Sequence, residues 1–438
     1  MPSRVVNSGS EVAVVGRGPV GLAAALALSR EGLSTALVGQ PLQAGTAEPW
    51  DLRVFALSPA ARALLDSIGV WHALDARRVA PVYDMRVFPR FGADRDPLHF
   101  GAYESRVEAL AWIVEQRNLV QALEQAVRFA RLPVIEERFE GFEPPPDAPA
   151  APSLPAPALG LRLEGGRRML ARLVVGADGG ASRVREAAGL AWTVSDYPQR
   201  ALVAHFATEL PHRDIAWQWF GTDGVLALLP LPADPAADAR AQAAASSPSG
   251  GALPPPVEAP HAGRVSMVWS APHELADALL AMSPDELGAR VQQAAGSALG
   301  AMRPISGVEA FPLRLGRVAA MIAPRVALVG DAAHLVHPLA GQGMNLGFGD
   351  VAALVQVMRR RAPGRDPGDR LLLRRYERMR AEPVAAMRRA TDGLQRLFDP
   401  ALPPLLPAAW LEAAVALGWR AVAGSGWIKR RLVAQAVR

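Results

Sequence analysis

Residues 11–21, EVAVVGRGPVG, decide the fold. A short apolar, β-branched run (11–15) leads into Gly16-Arg17-Gly18-Pro19-Val20-Gly21, and an Ala/Leu-rich stretch continues to about Arg30. Runs of this kind form buried strands. Glycines at this spacing allow a tight turn, close approach of a pyrophosphate, and helix-on-strand packing. A second strand is expected over residues 34–38, which completes a β-α-β start. The amino end of the helix then offers backbone N–H groups to an anion. The plainer alternative is a glycine turn that only packs a helix on a sheet. One departure stands out. The acid that normally ends the second strand, bonding an adenosine ribose, is replaced by Gly39, and Gln40 follows with an amide that could donate or accept.

Two further strand-to-loop junctions follow. Residues 173–185, LVVGADGGASRVR, carry Asp178-Gly179 with Ser182 and Arg185 beyond; alone, Asp-Gly is also an ordinary turn. Residues 326–350, VALVGDAAHLVHPLAGQGMNLGFGD, read as a strand, then Gly330-Asp331, then a loop with His and Pro. Gly341-Gln342-Gly343-Met344-Asn345 then opens a helix. A carboxylate at a strand end and bare N–H groups at a helix start suit a ligand with hydroxyls at one end and an anionic ring at the other. His334 and His337 have HxxH spacing, but no further ligands converge on them, and no metal site is expected.

The chain has 438 residues, enough for two or three domains with sizeable cores. It contains no cysteine, which excludes disulfides, thiolate catalysis and Cys-based metal sites. The net charge of +5 is modest, and arginines alternate with acids, so nucleic acid is not an expected partner. The first residues lack a secretory h-region, which points to the cytoplasm. The nearest approach to an apolar span, residues 402–422, is broken by Pro403, Pro404, Pro407, Glu412 and Arg420. With Trp410 and the basic end Lys429-Arg430-Arg431, it resembles an interfacial anchor more than a span, although a helix packed on the domain is an equal alternative.

Helices are expected over residues 58–68, started by Ser58-Pro59, and over most of 107–129. Strands with bulky side chains are expected at 201–206, 215–220, 225–229 and 265–269. Two Pro/Ala-rich stretches, 143–160 and 232–263, read as loop insertions, and the tail after Leu371 reads as helical.

The three motifs in this order, GxGxxG, GADGxxSxxR and GDAAHxxHPxxGQGxN, resemble the flavin-dependent aromatic hydroxylases of the para-hydroxybenzoate hydroxylase superfamily. Asp51-Leu52-Arg53, Ala56-Leu57-Ser58, Trp112–Glu115 (WIVE), residues 227–231 (ALLPL), residues 266–269 and Phe311-Pro312-Leu313 narrow the similarity to its ubiquinone-biosynthesis branch. It covers residues 11–400 or so.

The resemblance implies an α/β fold: a Rossmann-like FAD-binding domain, an inserted β-sheet substrate domain, and a C-terminal helical region. Residues 1–82, 101–195 and 312–359 would form the first, 83–100 and 196–311 the second, and 360–438 the third. FAD would be bound non-covalently, with NAD(P)H and O2 as co-substrates. Gly16, Gly18, Gly21, Gln40, Arg53, Arg117, Asp178, Gly179, Gly330 and Asp331 would hold the nucleotide and ribityl chain. Pro338, Gly341, Gln342, Gly343, Met344 and Asn345 would line the reactive ring.

Helix-start N–H groups would stabilise charge on the reduced ring before a flavin C4a-hydroperoxide transfers oxygen. Trp217, Phe220, Leu228, Pro230 and Trp269 would cover a hydrophobic aromatic substrate, although aromatics on strands are more often packing. The implied activity is ring hydroxylation of a polyprenylated phenol or quinol in ubiquinone biosynthesis. Alternatives are a hydroxylase of a soluble aromatic, or a non-catalytic flavoprotein scaffold. Implied partners are a quinone-biosynthesis complex or a second copy of the chain, with peripheral contact at an inner membrane.

Overall fold

The computed structural model describes residues 10–42, 51–89, 97–143, 158–221, 223–232, 263–336 and 342–398. Pro338, Gly341, most of the two Pro/Ala-rich stretches (144–157 and 233–262) and residues 402–431 lie outside them.

The opening motif folds as read. The strand Ser10–Val15 is followed by the helix Pro19–Arg30 and the strand Thr35–Val38. Pro19 sits at the first helical position, where a missing N–H costs nothing. These elements belong to an eight-stranded sheet. Ser10–Val15 lies at its centre, parallel to Arg168–Gly176 on one side and Thr35–Val38 on the other. Val326–Leu328 and Val134–Ile135 extend the parallel set outward. Its strands are buried on both faces, which explains their unbroken apolar runs.

A nine-stranded sheet holds the bulky strands. The long strand Trp192–Thr208 pairs antiparallel with Gly263–Pro272 and with Glu309–Val318. Gly224–Pro230, Ile215–Gly221, Asp84–Phe88 and Leu98–Gly101 continue it. The expected strands at 201–206, 215–220, 225–229 and 265–269 all fall inside it. One face packs on the helices His273–Ala281 and Pro284–Ala294, burying Leu202, Phe206, Trp217, Leu228, Met267 and Trp269 against Ala276, Leu279, Leu287 and Val291. The other face meets a three-stranded sheet of Val54–Leu57, Ala111–Glu115 and Val79–Val82.

The helix expected over 107–129 is corrected here. Ala111–Glu115 is a strand, and the helix is confined to Gln116–Phe129. The Trp112-Ile113-Val114 run is held between two antiparallel partners, where β-branched side chains pack well. The Asp51 carboxylate then accepts the Arg117 N–H at 2.9 Å and caps the helix from a distant segment. The 58–68 helix is as expected: Ser58 accepts the Ala61 N–H, Leu64 and Leu65 are buried, and Gly69 at φ +74° ends the turn.

A fully buried carboxylate ties the last two described helices to the parallel sheet. Asp350, on the helix Gln342–Arg359, accepts the Gly330 N–H at 2.8 Å and the His334 ring N–H at 2.6 Å. Its other oxygen accepts Arg380 Nε at 2.6 Å from the helix Arg370–Phe398. Burial alone would raise its pKa, but His334, Arg380 and the Gly330 N–H together hold it below the ordinary carboxylate value. The clamp is therefore complete above pH 3.8, the unfolded-state value, and is lost as acid titrates the lower folded-state group. Arg380→Ala strands part of a buried charge, and a loss of about 3–5 kcal/mol is expected in urea unfolding at pH 7. The gap from the parent narrows as the pH falls into the acid range.

Candidate functional site

The parallel register places three motifs side by side. Val15 lies opposite Val38 and Gly176, and Gly176 lies opposite Leu328. The residues that follow each strand, Gly16, Gly39, Ala177-Asp178 and Val329-Gly330, therefore share the carboxyl edge of the sheet, where open α/β sheets bind ligands.

The glycines have separate tasks. Gly16 adopts φ +119°, and a Cβ there would lie 2.2 Å from the Ala177 carbonyl oxygen. A Cβ at Gly21 would lie 2.0 Å from the Gly16 oxygen, so only glycine lets the helix sit this close. Gly18 caps the helix and has open space where a Cβ would stand. That is the cradle a diphosphate needs. A cavity of about 480 Å³ runs along it, lined by Gly16, Gly18, Gly39, Gln40, Asp178 and Gly179, with Arg17, Arg138 and Arg183 at its walls. A nucleotide's diphosphate fits these groups.

Asp178 has a structural role that spacing alone did not show. Its oxygens accept the Ser182 hydroxyl and the Val184 N–H, starting the short helix Arg183–Ala187. Arg185 then donates to the Gly180 and Ala332 carbonyl oxygens and stacks over Trp192. It thus fastens the Asp178 loop to the Gly330-Asp331 turn. Gly330 adopts φ +61°. Asp331 keeps exposed surface although protein packs closely around it, and that packing raises its pKa, with His334 opposing and Asp350 adding.

The segment then changes sheets. His334–Leu335 pairs with Gly316 and Arg317 of the antiparallel sheet, and the helix Gln342–Arg359 returns over Gly330. Gly347 makes that return close: a Cβ there would lie 3.2 Å from the Gly330 Cα. Gly343 opens the first turn, with nothing nearer than a Val336 methyl at 3.9 Å from a hypothetical Cβ. Met344 packs on the main core. The Asn345 amide is engaged in scaffolding, donating one bond to the Ala56 oxygen and accepting one from the Ser58 N–H.

Arg53 and Arg117 converge with residues the sequence reading left unassigned. Arg53 stacks over Phe311 at 4.8 Å, and its N–H and that of Arg117 both donate to the Asp51 carboxylate. The Asp51 N–H donates to Glu115, which is buried and bound by Arg78. Burial raises the Glu115 pKa, opposed by the Asp51 N–H, Arg78 and Arg117. His205 Nε2 reaches the Asp51 carbonyl at 3.0 Å. Asp51 thus joins three elements. Only the DLR run hinted at it.

The residues expected to cover the substrate divide between the two faces of the antiparallel sheet. Trp217, Leu228 and Trp269 belong to the core between the antiparallel sheet and its two helices. Pro230 stands opposite Val265 of that same core. Phe220 lies on the other face, packed with Val87 and Leu98. Strand alternation assigns faces, but which face meets a second domain is a tertiary matter. Among the described residues, no three His, Asp or Glu side chains are grouped to hold a metal.

Asp331 is harder to ionise in the folded chain than in the unfolded one. Its ionisation therefore works against folding, and stability is lost as the pH rises through the raised value. Asp331→Asn should melt no lower than the parent at pH 7 without added FAD. Flavin titration of the same variant should show about 10- to 100-fold weaker binding, the usual loss of a charged hydrogen bond.

The FAD binding domain family matches residues 9–391. Ubiquinone hydroxylase UbiL of Rhodospirillum rubrum is 33% identical over 434 residues, covering 98% of this chain and 89% of that protein. The 3-demethoxyubiquinol 3-hydroxylase of Escherichia coli is 31% identical over 406 residues, covering 92% and 93%. Among solved structures, PqsL of P. aeruginosa superimposes with a TM-score of 0.69 at 22% identity, over 90% of this chain and 97% of that one. The p-nitrophenol 4-monooxygenase PnpA of Pseudomonas putida gives 0.68 at 16%, over 98% and 97%. At such identities these two structures speak for the fold. With its glycine turn, Asp178 loop and Asp331 turn on one sheet edge, the chain belongs to the FAD-dependent aromatic monooxygenases, a family that uses NAD(P)H and O2.

Proposed function

We propose that the protein hydroxylates the aromatic ring of a polyprenylated phenol or quinol intermediate of ubiquinone biosynthesis. The observation that carries this reading is the near-full-length similarity to two ubiquinone-pathway hydroxylases. When bound, FAD supplies two-electron chemistry and dioxygen activation, which no side chain can provide. The chain's own residues bind, orient and exclude water. The Gly16–Gly21 turn and its helix hold the diphosphate, Asp331 accepts from ribityl hydroxyls, and the amino end of the Gln342 helix favours negative charge on the ring system. Of the residues expected at the reactive ring, Gln342 and Gly343 open that helix.

For the substrate, we assign the sheet face opposite the helix-packed core. Phe311 and His205 lie there in register with Ala201 and Ser266, beneath Arg53 and Asp51. Burial pushes the His205 pKa down, which favours a neutral ring. His205 is fully buried and acts from beneath, holding the Asp51 segment, so the Phe311 ring is the group left to face an uncharged phenol.

The test is the purified protein with NAD(P)H, 18O2 and a 2-polyprenylphenol. The expected product carries one labelled ring hydroxyl, with less free peroxide than unprenylated phenol gives. Equal peroxide with both phenols and no labelled ring product would refute the assignment. Peripheral membrane contact through residues 403–438 rests on the Trp410 stretch and the Lys429 basic end. Among the described residues, no helix is long and apolar enough to cross a membrane. The full chain should float with anionic liposomes, and a chain lacking 403–438 should not.

A further inference from the structure

The adenosine end of the cleft differs in polarity from the usual dinucleotide site. In such folds an acid after the second strand accepts bonds from the ribose hydroxyls, and it repels a phosphate placed there. Here that position is Gly39, at φ +141°, with its N–H donating to the Ile135 oxygen at 3.0 Å. A Cβ would meet nothing nearer than 3.6 Å, so backbone conformation, not crowding, keeps the position glycine. No simple substitution at 39 restores the acid without strain.

The groups around it are donors. Gln40 lines the cavity, and its amide oxygen accepts from Arg138 Nη2 at 3.3 Å. That bond orients the amide so that its nitrogen is the end left to a ligand. Arg138 and Arg183 line the same cavity, and neither meets a carboxylate among the described residues. The nearby acids are already engaged. Glu124 chelates Arg17 through Nε and Nη2, and Glu136, beyond the strand that pairs with Thr35–Val38, takes Arg17 Nη1 at 2.8 Å. Asp178 is bonded to Ser182 and to the Val184 N–H. Two carboxylates on one guanidinium leave the Arg17 cluster one negative charge; with Asp178 that makes two, which Arg138 and Arg183 balance, and Arg138 is the charge beside Gln40.

We propose that Gln40 reads the adenosine ribose by donating to it while Arg138, beside it, is placed for a 2′-phosphate, so that this end of the cleft accepts a 2′-phosphorylated adenosine nucleotide. Ribose oxygens accept bonds as readily as they give them, so FAD itself loses little by the exchange. A phosphate gains a charge-assisted partner in the Arg138 guanidinium, and position 39 itself offers no acid to repel it. This rests on the assignment of the cleft to FAD.

The full-length, FAD-loaded protein provides the test, with flavin release followed by fluorescence. ADP-ribose and 2′-phospho-ADP-ribose are compared as displacing ligands. The phosphorylated compound should displace FAD at the same or lower concentration than ADP-ribose. Arg138→Ala should weaken only the phosphorylated compound, by about tenfold, the scale of one charge-assisted contact. Gln40→Glu should shift the preference against the phosphate by about tenfold or more, read as the ratio of the two displacing concentrations. Circular dichroism checks that both variants, altered at exposed side chains, remain folded. A parent protein that prefers ADP-ribose by tenfold would overturn the proposal, as would an Arg138→Ala variant that weakens both ligands alike. If neither compound displaces bound FAD at any concentration, the inference falls while the FAD assignment stands; if no FAD is retained, the assignment of the cleft itself falls, and the inference with it.

Discussion

A single carboxylate with no exposed surface, Asp350, sets the terms for the rest of the site. A buried charge without partners costs several kcal/mol, so every group that satisfies it must be brought to one point. Those groups come from three places: the turn at Gly330, the ring of His334, and Arg380 on the last described helix. The turn that presents Asp331 is therefore placed by the helix that follows it. The interaction adds little net stability compared with an apolar core of equal volume. It selects one arrangement of helix, turn and tail over others that would leave the charge bare.

The same device recurs at a smaller scale. Arg185 reaches from the Asp178 loop to the Ala332 carbonyl, Asn345 reaches from the helix to the strand Val54–Leu57, and Asp51 caps a helix that begins at Gln116. In each case a side chain satisfies backbone groups that a loop or helix end would otherwise leave unpaired. Segments more than 140 residues apart are fastened in this way at Arg185–Ala332 and Asn345–Ala56. Loops held by such bonds keep their geometry when a ligand enters, and the preorganisation lowers the cost of binding.

Local chemistry made part of this readable in advance. Gly16 and Gly21 are glycines because a Cβ would strike a carbonyl oxygen, and that demand is written in the spacing itself. Ser58-Pro59 announced a helix start because the cap and the fixed φ of proline act within one turn. The 107–129 segment defeated the same approach. Its apolar residues suit either a helix face or a strand held between two others, and only the flanking strands at 54–57 and 79–82 settle which. Trp217, Leu228 and Trp269 were legible as buried, yet the helices that bury them lie about 50 residues away in sequence from Trp217 and Leu228.

By itself, then, the sequence determined the parallel β-α-β core, the glycine turn and the membership of the family, because each depends on contacts within a few residues or on ordered motifs. The tertiary structure decided which face of the antiparallel sheet looks toward the nucleotide domain and which acids are already engaged. It also decided that the edge beyond Gly39 is lined by donors. Those outcomes depend on which distant strands and helices become neighbours. A residue's charge or shape can be read from the chain, but what it faces is set only when the sheets close on one another.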